Sequence, residues 1–265
     1  MPAMLIDAPA RLHLFLRLAQ RDLESQFRGS VLGITWVFLI PASLVAIYTF
    51  VFGVIMKMRW VAPTGNEFDV PLIYFFGISL FAFFMEVIAR APRSLHDNAT
   101  YVSKIVFPLE MLVWVIIASA LTKLLINLFI LTMLAALIGS GLRAEMLLLP
   151  LWIVPLVVAT AGIGYALAGI GAYVRDLTHI LQAVGPVLVF MSPVFYALSQ
   201  VPPAYRSVYL MNPLTLPLEN GRSLFFPDQP ANWGALPVYA LAALVVLWAG
   251  RRIFIRLRPG FVDVV

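Results

Sequence analysis

The sequence predicts an all-α protein that crosses a membrane repeatedly, and three observations predict it. The 265 residues are 62% hydrophobic and 12% charged, against about 45–50% and about 25% in soluble domains. Apolar runs reach membrane-spanning length, about 20 residues, and Val31 to Met56 contains no charge at all. Nearly all lysines and arginines fall between such runs, which favours a bilayer over nucleic acid as the reason for the net charge of +5.

A single membrane domain, 1–265, with six spans is expected. The first is 31–57, and 70–89 follows, interrupted by Glu86. The third, 109–138, carries Lys123. Spans 146–174 and 177–198 are separated only by Arg175 and Asp176, and 234–252 is the last and shortest. An even number places both termini on one side. Lysine and arginine collect in cytoplasmic loops, and the loops sharing a side with the termini hold Arg11, Arg17, Arg21, Arg28, Arg90, Arg93, Lys104, Arg175, Arg251, Arg252, Arg256 and Arg258. The opposite loops hold Lys57, Arg59, Arg143, Arg206 and Arg222. Twelve against five predicts cytoplasmic termini.

Residues 10–29 read as an amphipathic helix in the membrane interface. Leu12, Leu16, Ala19, Leu23 and Phe27 recur at helical spacing, with Arg17, Arg21, Glu24 and Arg28 on another face. Those arginines suit lipid phosphates, as plain anchors, or an anionic substrate. Gly29-Ser30 offers the turn into the first span. Residues 199–230 hold six prolines, each lacking a backbone donor, yet the stretch is too apolar for a solvated linker. Short broken helices re-entering the outer leaflet fit it, as does a loop packed on the span ends.

Charges at membrane depth are costly, so Glu86, Lys123 and Asn127 are candidate intramembrane polar residues. Lys123 lies twelve residues past Met111, about 18 Å along a helix and near mid-bilayer, with Ser119 and Asn127 one turn away on its face. It could pair with Glu86, or face a passage and attract an anionic polymer; Glu86 could instead pair with Arg90. No catalytic or metal site is visible. There is no cysteine, His13, His96 and His179 are dispersed, and neither His-Glu-x-x-His nor Gly-x-Ser-x-Gly occurs. A secondary transporter would show repeated halves, and none is evident.

Several motifs resemble the ABC-2 type permeases that export polysaccharides. They are Arg21-Asp22, Phe27-Arg28-Gly29-Ser30-Val31-Leu32-Gly33, Trp36, Pro41 and Tyr48-Thr49-Phe50-Val51-Phe52-Gly53, followed by Asn98, Lys104, Phe107-Pro108, Arg175-Asp176 and Asn212-Pro213-Leu214. Capsule, O-antigen and teichoic-acid exporters share this pattern, and the capsule and O-antigen group is nearest.

The resemblance implies one permease of a pair in the bacterial inner membrane, enclosing a canal for a lipid-linked, anionic polysaccharide. Two nucleotide-binding ATPase subunits would supply the power, and periplasmic or outer-membrane export components would receive the product in a Gram-negative cell. No Gly-Lys pair occurs, so the phosphate-binding loop Gly-x-x-x-x-Gly-Lys-Ser/Thr is missing; ATP and Mg are expected on the partner, with no cofactor here. By the resemblance, 91–104 is a cytoplasmic coupling helix contacting the ATPase through Arg93, Ser94, Leu95, His96, Asp97 and Asn98. The helix 10–29 becomes a substrate gate with Arg17, Arg21 and Arg28. The first and fifth spans line the canal, which nominates Trp36, Tyr48, Phe195 and Tyr196 as flat surfaces for sugar rings, unless they simply face lipid. A drug or small-lipid exporter would keep this architecture and change the cargo.

Overall fold

The computed structural model describes residues 8–26, 29–48, 50, 51, 55, 68–102, 107–139, 141–226 and 230–264, and among them there is helix but no strand. The α-helices are α1 (Ala8–Ser25), α2 (Trp36–Tyr48), α3 (Asp69–Arg90), α4 (Ala99–Val102), α5 (Glu110–Leu137), α6 (Pro150–Gly171), α7 (Leu177–Phe190), α8 (Pro203–Leu210), α9 (Thr215–Phe225), α10 (Ala235–Leu257) and α11 (Phe261–Val264). Among the described residues, four stretches are long and apolar enough to cross a membrane: Asp69–Arg93, Glu110–Leu137, Ala144–Gly171 and Ala235–Val264.

Of 31–57, the described residues include a 3-10 turn at Gly33–Thr35, then α2, of 13 residues with Pro41 inside it, and 50, 51 and 55 are helical as well; 49, 52–54, 56 and 57 lie outside the described residues. The fifth, expected over 177–198, is helical only to Phe190. Ser192 precedes Pro193, and the proline ring disfavours helical backbone in the residue before it, so the chain turns at 191–194.

Helix α3 is the centre of the bundle, with Leu72, Ile73, Tyr74, Phe75, Phe76, Leu80, Phe83 and Val87 all buried among α5, α6, α7 and α9. Among membrane helices, close packing rather than expulsion of water supplies most of the cohesion. The tightest contact is α6 against α10. A side chain on Gly250 would meet the Gly162 carbonyl at 1.8 Å, and one on Gly162 would meet the backbone of Val246 and Leu247 at 2.5 Å. Only glycine allows this approach.

Helices α3 and α5 run antiparallel, in a register that sets Leu72 beside Gly139 and Glu86 beside Lys123. The start of α5 therefore runs on past the Arg90 end of α3, where Leu112, Val115 and Ile116 border a cleft with Ser94. In this register Lys123 lies level with Glu86, one turn from Arg90.

Residues 199–226 form two short helices. Pro203 begins α8, and Asn212-Pro213 separates it from α9. The buried face of α9 enters the bundle: Phe225 packs on Phe76 with ring centroids 5.5 Å apart, and Gly221 abuts the same ring. Phe76 is seven residues into α3, so α9 reaches about 10 Å past its start.

Candidate functional site

The Arg90 end of α3 gathers most of the charged side chains that the sequence singles out. Helix α1 lies against α5 and presents three faces. Leu18, Asp22 and Gln26, spaced four apart, form the face that meets the bundle: Leu18 is buried, and the other two make polar contacts with α3 and α5. Leu12 and Leu16 are exposed, leaving an apolar face uncovered, while Arg17, Arg21 and Glu24 are exposed on the remaining surface. Gly29 then turns the chain with φ of 82°. Arg28 lies outside the described residues.

The protein-facing side of α1 is held by a continuous polar chain. Arg90 donates to Asp22 at 2.5 Å and to Glu86 at 3.0 Å. Lys123 donates to Glu86 at 2.6 Å and to Gln26 Oε1 at 2.7 Å, and Gln26 Nε2 donates to Ser119 Oγ at 3.0 Å. Both pairings open to Glu86 are thus made at once. Two carboxylates meet two cations, so the cluster is neutral, as a site with side chains only 18–31% exposed requires. Asn127, half-buried, lies one turn beyond Lys123.

Below this clasp is a cleft of about 490 Å³ whose wall includes Arg21 and Asp22 from α1, Arg90 from α3, and Arg93, Ser94, Asp97 and Asn98. Arg21 also lies over the Tyr101 ring, 5.9 Å from its centroid. Residues 91–102 are not one helix but a succession of 3-10 turns, Ala91–Arg93 and His96–Asn98, followed by α4; 103–106 lie outside the described residues. Pro92 is buried, and its backbone packs against Gly171, which pins the segment to α6. Ser94 and Leu95 are buried, Ser94 donating to the Ala91 carbonyl at 2.7 Å. Arg93 and Asp97 are more than half exposed and pair at 3.5 Å. Their other side borders a second cleft, of about 410 Å³, with His96, Arg175, Thr178 and His179. The 91–102 segment and the Arg175 loop therefore form one surface.

The nominated aromatics fall into separate places. Trp36 is partly exposed and donates from Nε1 to Ser30 Oγ at 2.8 Å. The side chain of Tyr48 lies outside the described residues. Phe195 packs on Tyr74 and Phe190, centroids 5.8 and 6.0 Å away. The Tyr196 hydroxyl is shared with the Phe190 carbonyl and with Tyr209, 3.0 Å away. Phe195 and Tyr196 thus belong to a turn that Arg222 fastens: this buried guanidinium donates to the carbonyls of Pro193 at 2.8 Å and Val194 at 3.3 Å and pairs with Glu219 at 3.3 Å.

Sequence reading missed Asp22, Gln26 and Arg222. Asp22 and Gln26 continue a four-residue spacing from Leu18 that is hidden between the more obvious leucine and arginine faces. Arg222 lies three residues after Glu219, within reach on one helix face, but looks like any loop arginine.

A bundle of long apolar helices, with an amphipathic helix clasped across one end beside a polar cleft, has the build of a polytopic membrane protein. Residues 13–226 match the ABC-2 type transporter family, and the chain belongs to that family. It is 26% identical over 252 residues to the O-antigen export system permease protein RfbA of Myxococcus xanthus, covering 94% of each chain. A Klebsiella pneumoniae protein of the same name is 22% identical, over 95% of this chain and 94% of its own. The polysialic acid transport protein KpsM of Escherichia coli is 24% identical, over 88% and 89%.

Proposed function

We propose that this chain is the membrane permease of an ATP-driven exporter that moves a lipid-linked polysaccharide from the cytoplasm across the bacterial inner membrane. The observation that carries the reading is its similarity, over about nine-tenths of its length or more, to permeases named for O-antigen export and for polysialic acid transport. An anionic capsular glycan is the principal cargo proposed; the relatives named for O-antigen export support O-antigen as a second reading. Six spans, cytoplasmic termini, a pair of permeases and two ATPase subunits carrying ATP and Mg complete it.

Specific observations support those parts. Arg17, Arg21, Arg93 and Arg175 are exposed at the Arg90 end, which suits the cytoplasmic side. Arg93, His96, Asp97 and Arg175 border one surface where an ATPase can dock. Arg21 shares a cleft with Arg93, so the gate and the coupling segment adjoin. Large apolar residues are uncovered on α2 and α7, Phe38, Ile40, Val187 and Phe190 among them, which suits a second copy, with Trp36, Tyr48, Phe195 and Tyr196 proposed near the passage between them. The depth of α9 supports re-entrant helices over 199–230.

The test is reconstitution in vesicles with an ATPase partner and lipid-linked glycan. The expected result is glycan-stimulated ATP hydrolysis together with glycan appearing on the opposite side. Flux driven by a proton gradient without the ATPase overturns the reading.

A further inference from the structure

Helix α10 differs from the other helices in how its outer face ends. Val238, Leu241, Leu244, Val245 and Trp248 are all more than half exposed, and Arg251, Arg252, Arg256 and Arg258 follow within ten residues. That sequence of apolar, indole and basic side chains is what a helix presents on passing from hydrocarbon to headgroups. Along the transition runs a groove of about 450 Å³, lined by Leu244, Leu247, Trp248, Arg251, Arg252 and Ile255.

Its two arginines are already oriented. The Arg252 guanidinium lies over the Trp248 ring, 5.3 Å from the centroid, which sets its place beside the apolar wall. Among the described residues it makes no ion pair. Arg251, one residue earlier, is steadied by Glu110 of α5 at 3.3 Å and remains 55% exposed. A planar guanidinium is matched to two oxygens of a phosphate, and the apolar wall beside it is matched to an acyl chain.

We propose that this groove binds an anionic phospholipid, its headgroup phosphate held by Arg251 and Arg252 and one acyl chain lying along Leu244 and Leu247. Charge complementarity selects the lipid over a second copy of the chain: the groove ends in positive charge, and a copy related by symmetry would set these arginines against one another or leave them in hydrocarbon. The site needs only that the chain lies in a bilayer, and stands apart from the export reading.

The test is thermal unfolding of the purified full chain in detergent, titrated with phosphatidylglycerol or with phosphatidylcholine. Phosphatidylglycerol should raise the unfolding temperature at concentrations on the order of tenfold lower than phosphatidylcholine. Arg252→Gln, which disturbs only the stack on Trp248, should leave the lipid-free unfolding temperature unchanged and reduce that ratio to about threefold or less. Arg251→Gln with Arg252→Gln should abolish it. Equal effects of the two lipids, or an unchanged ratio in the double variant, overturns the proposal. Because the chain has no cysteine, Leu244→Cys gives a clean second measurement: absence of cross-linking in membranes agrees with a lipid-covered face, and efficient disulfide formation between copies overturns it.

Discussion

Arginines at the two ends of the bundle do different work. At the Asp69 end of α3 each of three described arginines reaches backbone. Arg222 binds the carbonyls of Pro193 and Val194, Arg206 binds those of Ser199 and Val201 at 2.7 and 2.8 Å, and Arg143, paired with Glu145 at 3.2 Å, reaches that of Ser223 at 3.4 Å. At the other end Arg17, Arg21, Arg93 and Arg175 are exposed, and Arg90 binds side chains, Asp22 and Glu86. Carbonyls freed by broken helices have few other donors when water is scarce, so the first set is structural. Carboxylates and amides can exchange partners with water or a ligand, so the second set can let go.

The sharpest break of this contrast is Arg222→Met. Removing a buried cation that satisfies two carbonyls and Glu219 should cost about 3–5 kcal/mol, seen as a lowered unfolding temperature and protease cleavage between 191 and 214. Unchanged stability would place Arg222 with the exchangeable set. Next is Glu86→Gln, which leaves Lys123 and Arg90 short of a counter-charge and should cost about 1–3 kcal/mol. Adding Lys123→Met should recover part of that loss; strictly additive losses in this double-mutant cycle would show that the two side chains are not coupled.

Smaller again is Asp22→Asn, about 1 kcal/mol, with the change concentrated in α1. A spin label at position 16 should report increased mobility while the bundle unfolds at almost the same temperature; an immobile label means Leu18 and Gln26 suffice. Least disturbing to stability is Arg93→Glu, within about 0.5 kcal/mol as for exposed positions. Combined with Asn98→Pro, it should nonetheless abolish co-purification of the ATPase, and intact assembly would remove the 91–98 segment from the docking surface.

How much of this was legible depended on the range of each signal. The amphipathic α1 and the runs that became α3, α5, α6 and α10 are periodic or long, so hydrophobicity alone locates them. The early end of α7 was written in Ser192-Pro193 but hidden by the apolar residues that continue to Leu198. The level of Lys123 along the bundle could not be counted, because it depends on where α5 stands against α3, a property of two chain segments rather than one. For the same reason Lys123 with Glu86 was one option among several, while Gln26 and Asp22, which complete the cluster from a third helix, left no mark that composition could reveal.

That register has a mechanical meaning. Helix α5 is grasped at Lys123 by partners on α1 and α3, while its Glu110 end, thirteen residues or about 20 Å away, carries the contact with Arg251. Between these two grips Leu112, Val113, Ile116 and Ile117 are buried, so this part of α5 is a packed strut that ties the clasp on α1 to α10. A strut transmits displacement: a tilt of about 5° about Lys123 would carry the Glu110 end by about 2 Å, so the contact with Arg251 and the contacts that hold α1 could not shift independently.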